Sequence, residues 1–111
     1  MEYEIREVGG ASVVSFHGDI DLESSPQSRK VLLECIGKGG AVLIDMADVT
    51  YIDSSGIASL VEALQKSRQG KCYFALAAVS AGALRVINLA RLDRVFPIHP
   101  TVEDGLKAAE S

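Results

Sequence analysis

Two short apolar runs with an amphipathic stretch between them constrain this chain more than any other feature. Ala41 to Ile44 is unbroken apolar sequence held between glycines and Asp45, and Tyr73 to Val79 is a second such run. Runs this short and this apolar suit strands buried on both faces. Between them Ile57, Leu60, Val61 and Leu64 recur at i, i+3, i+4 and i+7, the spacing of a helix that buries one face. Strand, helix and strand in that order predict parallel pairing with the helix as crossover.

The flanking segments extend the pattern. Tyr3, Ile5 and Val8 are spaced through polar residues and read as a half-exposed strand. Gly9-Gly10 is a turn, and residues 11–17, with Val13, Val14 and Phe16, read as a second strand that closes a hairpin. Gly18-Asp19-Ile20-Asp21 is expected to break that strand into a loop. Ser25-Pro26 has the form of an N-cap and first helical position, with Leu32, Cys35 and Ile36 at helical spacing behind it. Gly37, Gly39 and Gly40 stop that helix. The stretch from Met46 to Gly56 is expected to be a loop that ends in the second helix, which Gly70 stops. Ser80 is expected to cap a third helix that turns Leu84 and Ile87 inward. Val95, Phe96 and Ile98 suggest a short last strand, confined to an edge by Pro97 and Pro100. Thr101 caps a final helix, with Glu103 and Asp104 in the first turn, where the helix dipole favours them, and Leu106 as its core contact. The order is β-β-α-β-α-β-α-β-α. That is an α/β fold with a mostly parallel sheet, one antiparallel hairpin strand at the N-terminus and about four helices. No repeat or linker divides it, so residues 1–111 read as one domain.

Composition matters here for what it excludes. Net charge is −4 and the eleven Lys and Arg residues are scattered, so the basic footprint of nucleic-acid binding is missing. The longest apolar run is far short of a membrane span, and the opening MEYEIREV is charged and alternating, unlike a signal peptide. A cytoplasmic protein is expected. Cys35 and Cys72 sit among apolar residues and read as buried free thiols rather than a disulfide or metal pair. His17 and His99 lack metal-ligand spacing, and no glycine-rich phosphate cradle is present. No cofactor or metal is expected.

Asp53-Ser54-Ser55-Gly56, at the start of the second helix, is where chemistry could reside. Its simplest reading is structural, with Ser or Asp as N-cap. The flanks are not the G-x-S-x-G elbow of a serine hydrolase, and nothing places His17 or His99 as a base. Position adds a second reading. A serine on a surface loop before a helix N-terminus tolerates added negative charge, and a phosphate there would add about −1.5 to −2 beside Asp53, Asp19 and Asp21.

The chain resembles a STAS domain, specifically the single-domain anti-sigma-factor antagonists. Gly18-Asp19-Ile20-Asp21 resembles the family's G-E-L-D stretch, with Asp19 where the family has Glu. The segment from Leu43 to Ile57 resembles its signature strand, loop and helix start, and the segment from Leu84 to Ile98 its third helix and last strand. The resemblance implies a phosphorylation switch without catalysis. An anti-sigma factor that is a serine kinase of histidine-kinase-like ATPase fold would bind the unphosphorylated chain and release it once phosphorylated. A serine phosphatase would reset it. Carried onto this sequence, Ser55 is the first choice of phosphosite and Ser54 the second. Asp53 would help position the acceptor hydroxyl, while Asp19 and Asp21 either line the partner surface or serve as a polar loop with a helix cap. Gly56 and an exposed helix face with Ala58, Ser59 and Glu62 complete the expected contact surface. A monomer is expected when free. The alternative within the family is a constitutive adaptor of a lipid-transport ABC complex or of a stress-sensing assembly.

Overall fold

The computed structural model describes residues 1–110. The hairpin is β1 (Glu2–Val8) and β2 (Ala11–Ile20). It is followed by α1 (Ser25–Gly37), β3 (Val42–Ile52), α2 (Ser54–Gln69), β4 (Phe74–Ala77), α3 (Ala81–Leu89), β5 (Ile98–His99) and α4 (Val102–Ala109). The strands lie side by side in chain order. β1 pairs with β2 antiparallel, and the remaining pairings are parallel, as the alternation predicts.

Strand alternation divides the core between the two faces of the sheet. Val14, Phe16, Val42, Ile44, Phe74 and Leu76 meet Leu32 and Cys35 of α1, Leu60 and Ala63 of α2, and Ile87 of α3. Val13, Leu43 and Ala75 belong to a second, smaller cluster, covered by Val102 and Leu106 of α4. Ser80 and Thr101 cap α3 and α4, accepting from the backbone N–H groups of Ala83 and Asp104.

Two segments expected as loops are strand. β2 continues through Gly18 to Ile20 and β3 through Thr50 to Ile52, and these extensions pair with each other, Asp19 against Tyr51 and Ile20 against Ile52. The register shifts between Ser15 and His17 and again between Gly18 and Asp19, each shift placing one extra residue in β3. Gly18 supplies φ +91° at the second shift, which a residue with a Cβ adopts only under strain. The bulges also explain the misleading sequence: Met46, Val49 and Ile52 are buried at intervals of three, which hides the two-residue period of a strand.

Smaller departures have local causes. Ser25 is the first helical residue of α1, with Ser24 before it and Pro26 in the first turn. β4 is shorter than the apolar run because Ala78 turns to positive φ. The last strand is only Ile98–His99, since Leu92–Arg94 forms a 3₁₀ turn that sends Phe96 into the core and leaves Val95 exposed. Ala83 takes the inward place beside Ile87, and Leu84 is half-buried. β1 is exposed along its whole length, because it is the sheet's open edge. Cys35 is buried, but Cys72 is only half-buried; both are free thiols.

Candidate functional site

The extended ends of β2 and β3 deliver Asp19, Asp21 and Asp53 to one end of the sheet, where α2 begins. Asp53 is the N-cap of α2. Its Oδ1 accepts from the backbone N–H groups of Ser55 at 2.9 Å and Gly56 at 3.1 Å. Its Oδ2 accepts from the backbone N–H of Leu22 at 3.1 Å, so one carboxylate clasps the segment after β2 to the head of α2. Asp53 therefore fixes Ser55 through its backbone. The helix N-terminus is already occupied by this carboxylate, so two of its amides are not open to an incoming anion.

Gly56 is buried where α2 presses on the strand ends. A Cβ there would lie 2.6 Å from the Ile20 carbonyl oxygen and 2.6 Å from Ile52 Cγ1. Ser54 is exposed and Ser55 half-buried, and within the described residues neither hydroxyl makes a hydrogen bond.

Ser59 corrects the expectation of an exposed helix face. It is buried, 3.2 Å from the hydroxyl of buried Ser28 on α1, and its own hydroxyl donates to the Gly56 carbonyl at 2.7 Å. Small hydroxyls bonding back to their own helix let α1 and α2 pack closely without an unsatisfied polar atom. Ala58 is exposed and Glu62 half-buried. Beside them lies an open cavity of about 270 Å³ between the two helices, walled by Ser25, Pro26 and Arg29 of α1 and by Ser55, Ala58, Ser59 and Glu62 of α2. Arg29 Nε and Glu62 Oε2 form an ion pair across it. The α1 wall is only faintly marked in the sequence. Its signal was Ser25, Ser28 and Arg29 at i, i+3 and i+4, a polar stripe that reads as solvated until the partner helix is known.

Asp19 and Asp21 differ in role. Asp19 is exposed and accepts from the Thr50 hydroxyl at 2.6 Å. Asp21 accepts from the backbone N–H groups of Ser24 and Glu23 and shapes the turn into α1. The Ser24 N–H, above all, holds its carboxyl below the ordinary 3.8. A lowered folded value means that the stability it contributes is present above 3.8 and is lost as pH falls through the folded value. Asp21→Asn is therefore expected to lose stability less steeply than wild type between about pH 5 and pH 3, read as urea midpoints across that range.

The histidines lie elsewhere. His17 meets Asp48 at 3.0 Å and Glu4 at 3.5 Å, and His99 bonds the Tyr73 hydroxyl at 2.7 Å. No group of three or more potential metal ligands occurs among the described residues, and no helix there is long and apolar enough to cross a membrane.

Comparisons with known proteins agree with this architecture. The family model for the STAS domain matches residues 2–105. The anti-sigma-B factor antagonist of Listeria monocytogenes is 30% identical over 82 residues, 73% of this chain and 72% of that protein. An anti-sigma factor antagonist of Mycobacterium paratuberculosis, solved by crystallography, is 27% identical and superposes with a TM-score of 0.89 over 99% of this chain and 94% of that one. The Bacillus cell fate determinant SpoIIAA, solved in a phosphorylated form, is 16% identical and shares the fold at a TM-score of 0.75 over 96% of this chain and 98% of that one. The chain belongs to the STAS-domain family, among the anti-sigma-factor antagonists.

Proposed function

We propose that this chain is a partner switch: unphosphorylated, it binds an anti-sigma factor that is also a serine kinase, and phosphorylation of Ser55 releases it. The observation that carries this reading is the Ser55 hydroxyl, unbonded within the described residues and on the wall of an open cavity, while its backbone is pinned by Asp53. Ser54, more exposed, is the second choice. The kinase has a histidine-kinase-like ATPase fold, and a serine phosphatase resets the switch. The docking surface comprises Asp19, the turn held by Asp21, Asp53, Ser54 and the Ala58 and Glu62 face, with Gly56 and Ser59, both buried and so not the contacts expected, supporting it from beneath.

Charge is enough to drive release. One like charge about 6 Å away is worth roughly 0.7 to 3 kcal/mol at effective dielectrics of about 80 and 20. A phosphate carries up to about two charges, so the same arithmetic gives roughly 1.4 to 6 kcal/mol, and partner affinity is expected to fall at least about tenfold without a large conformational change.

The test is intact-mass analysis after incubation with the neighbouring candidate kinase and ATP, on wild type, Ser54→Ala and Ser55→Ala. One phosphate that disappears only in Ser55→Ala is the expected result. Loss only in Ser54→Ala moves the site by one residue. Stable binding with no phosphate on any form would replace the switch with the constitutive-adaptor reading.

A further inference from the structure

We infer that Arg29 is the internal counter-ion of phosphorylated Ser55, exchanging Glu62 for the phosphate across the cavity between α1 and α2. This rests on the reading of Ser55 as the acceptor. A phosphate on Ser55 arrives beside the carboxylate of Asp53, whose oxygens already occupy the N–H groups of Ser55 and Gly56. The helix head therefore offers the new charge little. Among the residues lining the cavity, Arg29 is the one cation.

The exchange takes place within one cavity, which Arg29, Ser55 and Glu62 all line. Buried Ser28 and Ser59 touch, which fixes the relative position of the two helices just behind the cavity. Ser55, Ser59 and Glu62 lie at i, i+4 and i+7 on α2, along one stripe. Arg29, on the facing wall of the same cavity, meets Glu62 with its Nε, and long helical side chains lean toward the helix N-terminus, which for Glu62 is the Ser55 end of the stripe. The ion pair they make now, Arg29 Nε against Glu62 Oε2, joins two side chains that are 54% and 38% exposed. Exposed ion pairs of this kind contribute little. A phosphate offers more charge and oxygens that match the planar fork of arginine, so it outcompetes the carboxylate. The exchange also leaves Glu62 without a cation beside the added phosphate, so the surface facing the partner turns more negative than the phosphate alone would make it.

The test uses phosphoserine encoded at position 55 during translation, which requires no kinase. Phosphorus NMR titration then reads the second ionisation of the phosphate, ordinarily near pH 6. An adjacent cation favours the dianion, so the midpoint is expected to be roughly half a pH unit or more lower in wild type than in Arg29→Ala. Arg29→Lys keeps the charge but loses the fork and should recover part of that difference. Glu62→Gln removes the competing carboxylate and should lower the midpoint further. Equal midpoints in wild type and Arg29→Ala, or a midpoint that responds to Glu62→Gln but not to Arg29→Ala, would overturn the inference. Kinase binding by the unphosphorylated chain is measured in parallel. Its absence would sink the switch and leave the midpoint comparison standing.

Discussion

Gly56→Ala is expected to destabilise the protein by about 2 to 3 kcal/mol, although helix propensity alone predicts the opposite sign. Alanine inside a helix gains up to about 1 kcal/mol over glycine. Here the added Cβ would meet the backbone oxygen of Ile20 at 2.6 Å and two side-chain carbons, Ile52 Cγ1 at 2.6 Å and Ile20 Cγ2 at 2.8 Å. Ile20 and Ile52 are fully buried ends of paired strands, so neither can yield without disturbing the β2–β3 ladder. For a chain of this size the loss corresponds to roughly 10 °C in Tm. Urea unfolding followed by circular dichroism measures it as a lower midpoint at an unchanged slope. A midpoint at or above that of wild type would show that α2 does not press on the strand ends as described.

Asp53→Ala is expected to cost about 2 kcal/mol, of which the N-cap of α2 accounts for the larger share. The remainder is the bond from Leu22, which ties the segment after β2 to the helix head. Asp53→Asn separates the two, since one acceptor oxygen remains for the cap while the amide cannot accept from Leu22. Its midpoint is expected to fall between those of wild type and alanine. Hydrogen exchange would show faster exchange at Leu22 in both variants, and at Ser55 and Gly56 in Asp53→Ala alone. An alanine variant as stable as wild type would remove Asp53 from the frame of the site. This matters for the switch, because the clasp fixes where Ser55 stands relative to Asp19 and the turn at Asp21.

Several elements were legible because local pattern and tertiary role coincide in them. The buried run before Asp45 and the run after Cys72 are strands, and Ile57, Leu60, Val61 and Leu64 do place a helix between them. Ser80 and Thr101 cap where capping chemistry predicts, and the Asp-Ser-Ser-Gly motif lies at a helix start. The extensions of β2 and β3 were not legible, because two bulges break the alternation and acidic residues there look like loop. Ser59 was misplaced for a related reason. A hydroxyl on a helix reads as solvated, yet Ser28 on another helix satisfies it in the interior. Arg29 carries no signal of its own in the sequence, because its significance depends on which residues it faces across the cavity, information that lies in a different helix.

The amino-acid order by itself determined the alternation of strands and helices, the parallel sheet with its antiparallel first strand, and the serine motif at the head of α2. Each of these depends on neighbours within a turn or two of chain, which spacing records. Tertiary structure alone decided that α1 packs beside α2, that Gly56 must lack a Cβ, that Asp53 clasps Leu22, and that Ser55 shares a cavity with an arginine. Those facts are contacts between segments about thirty residues apart or between packed surfaces. Periodicity shows that a face is apolar or polar, and packing alone selects the surface it meets.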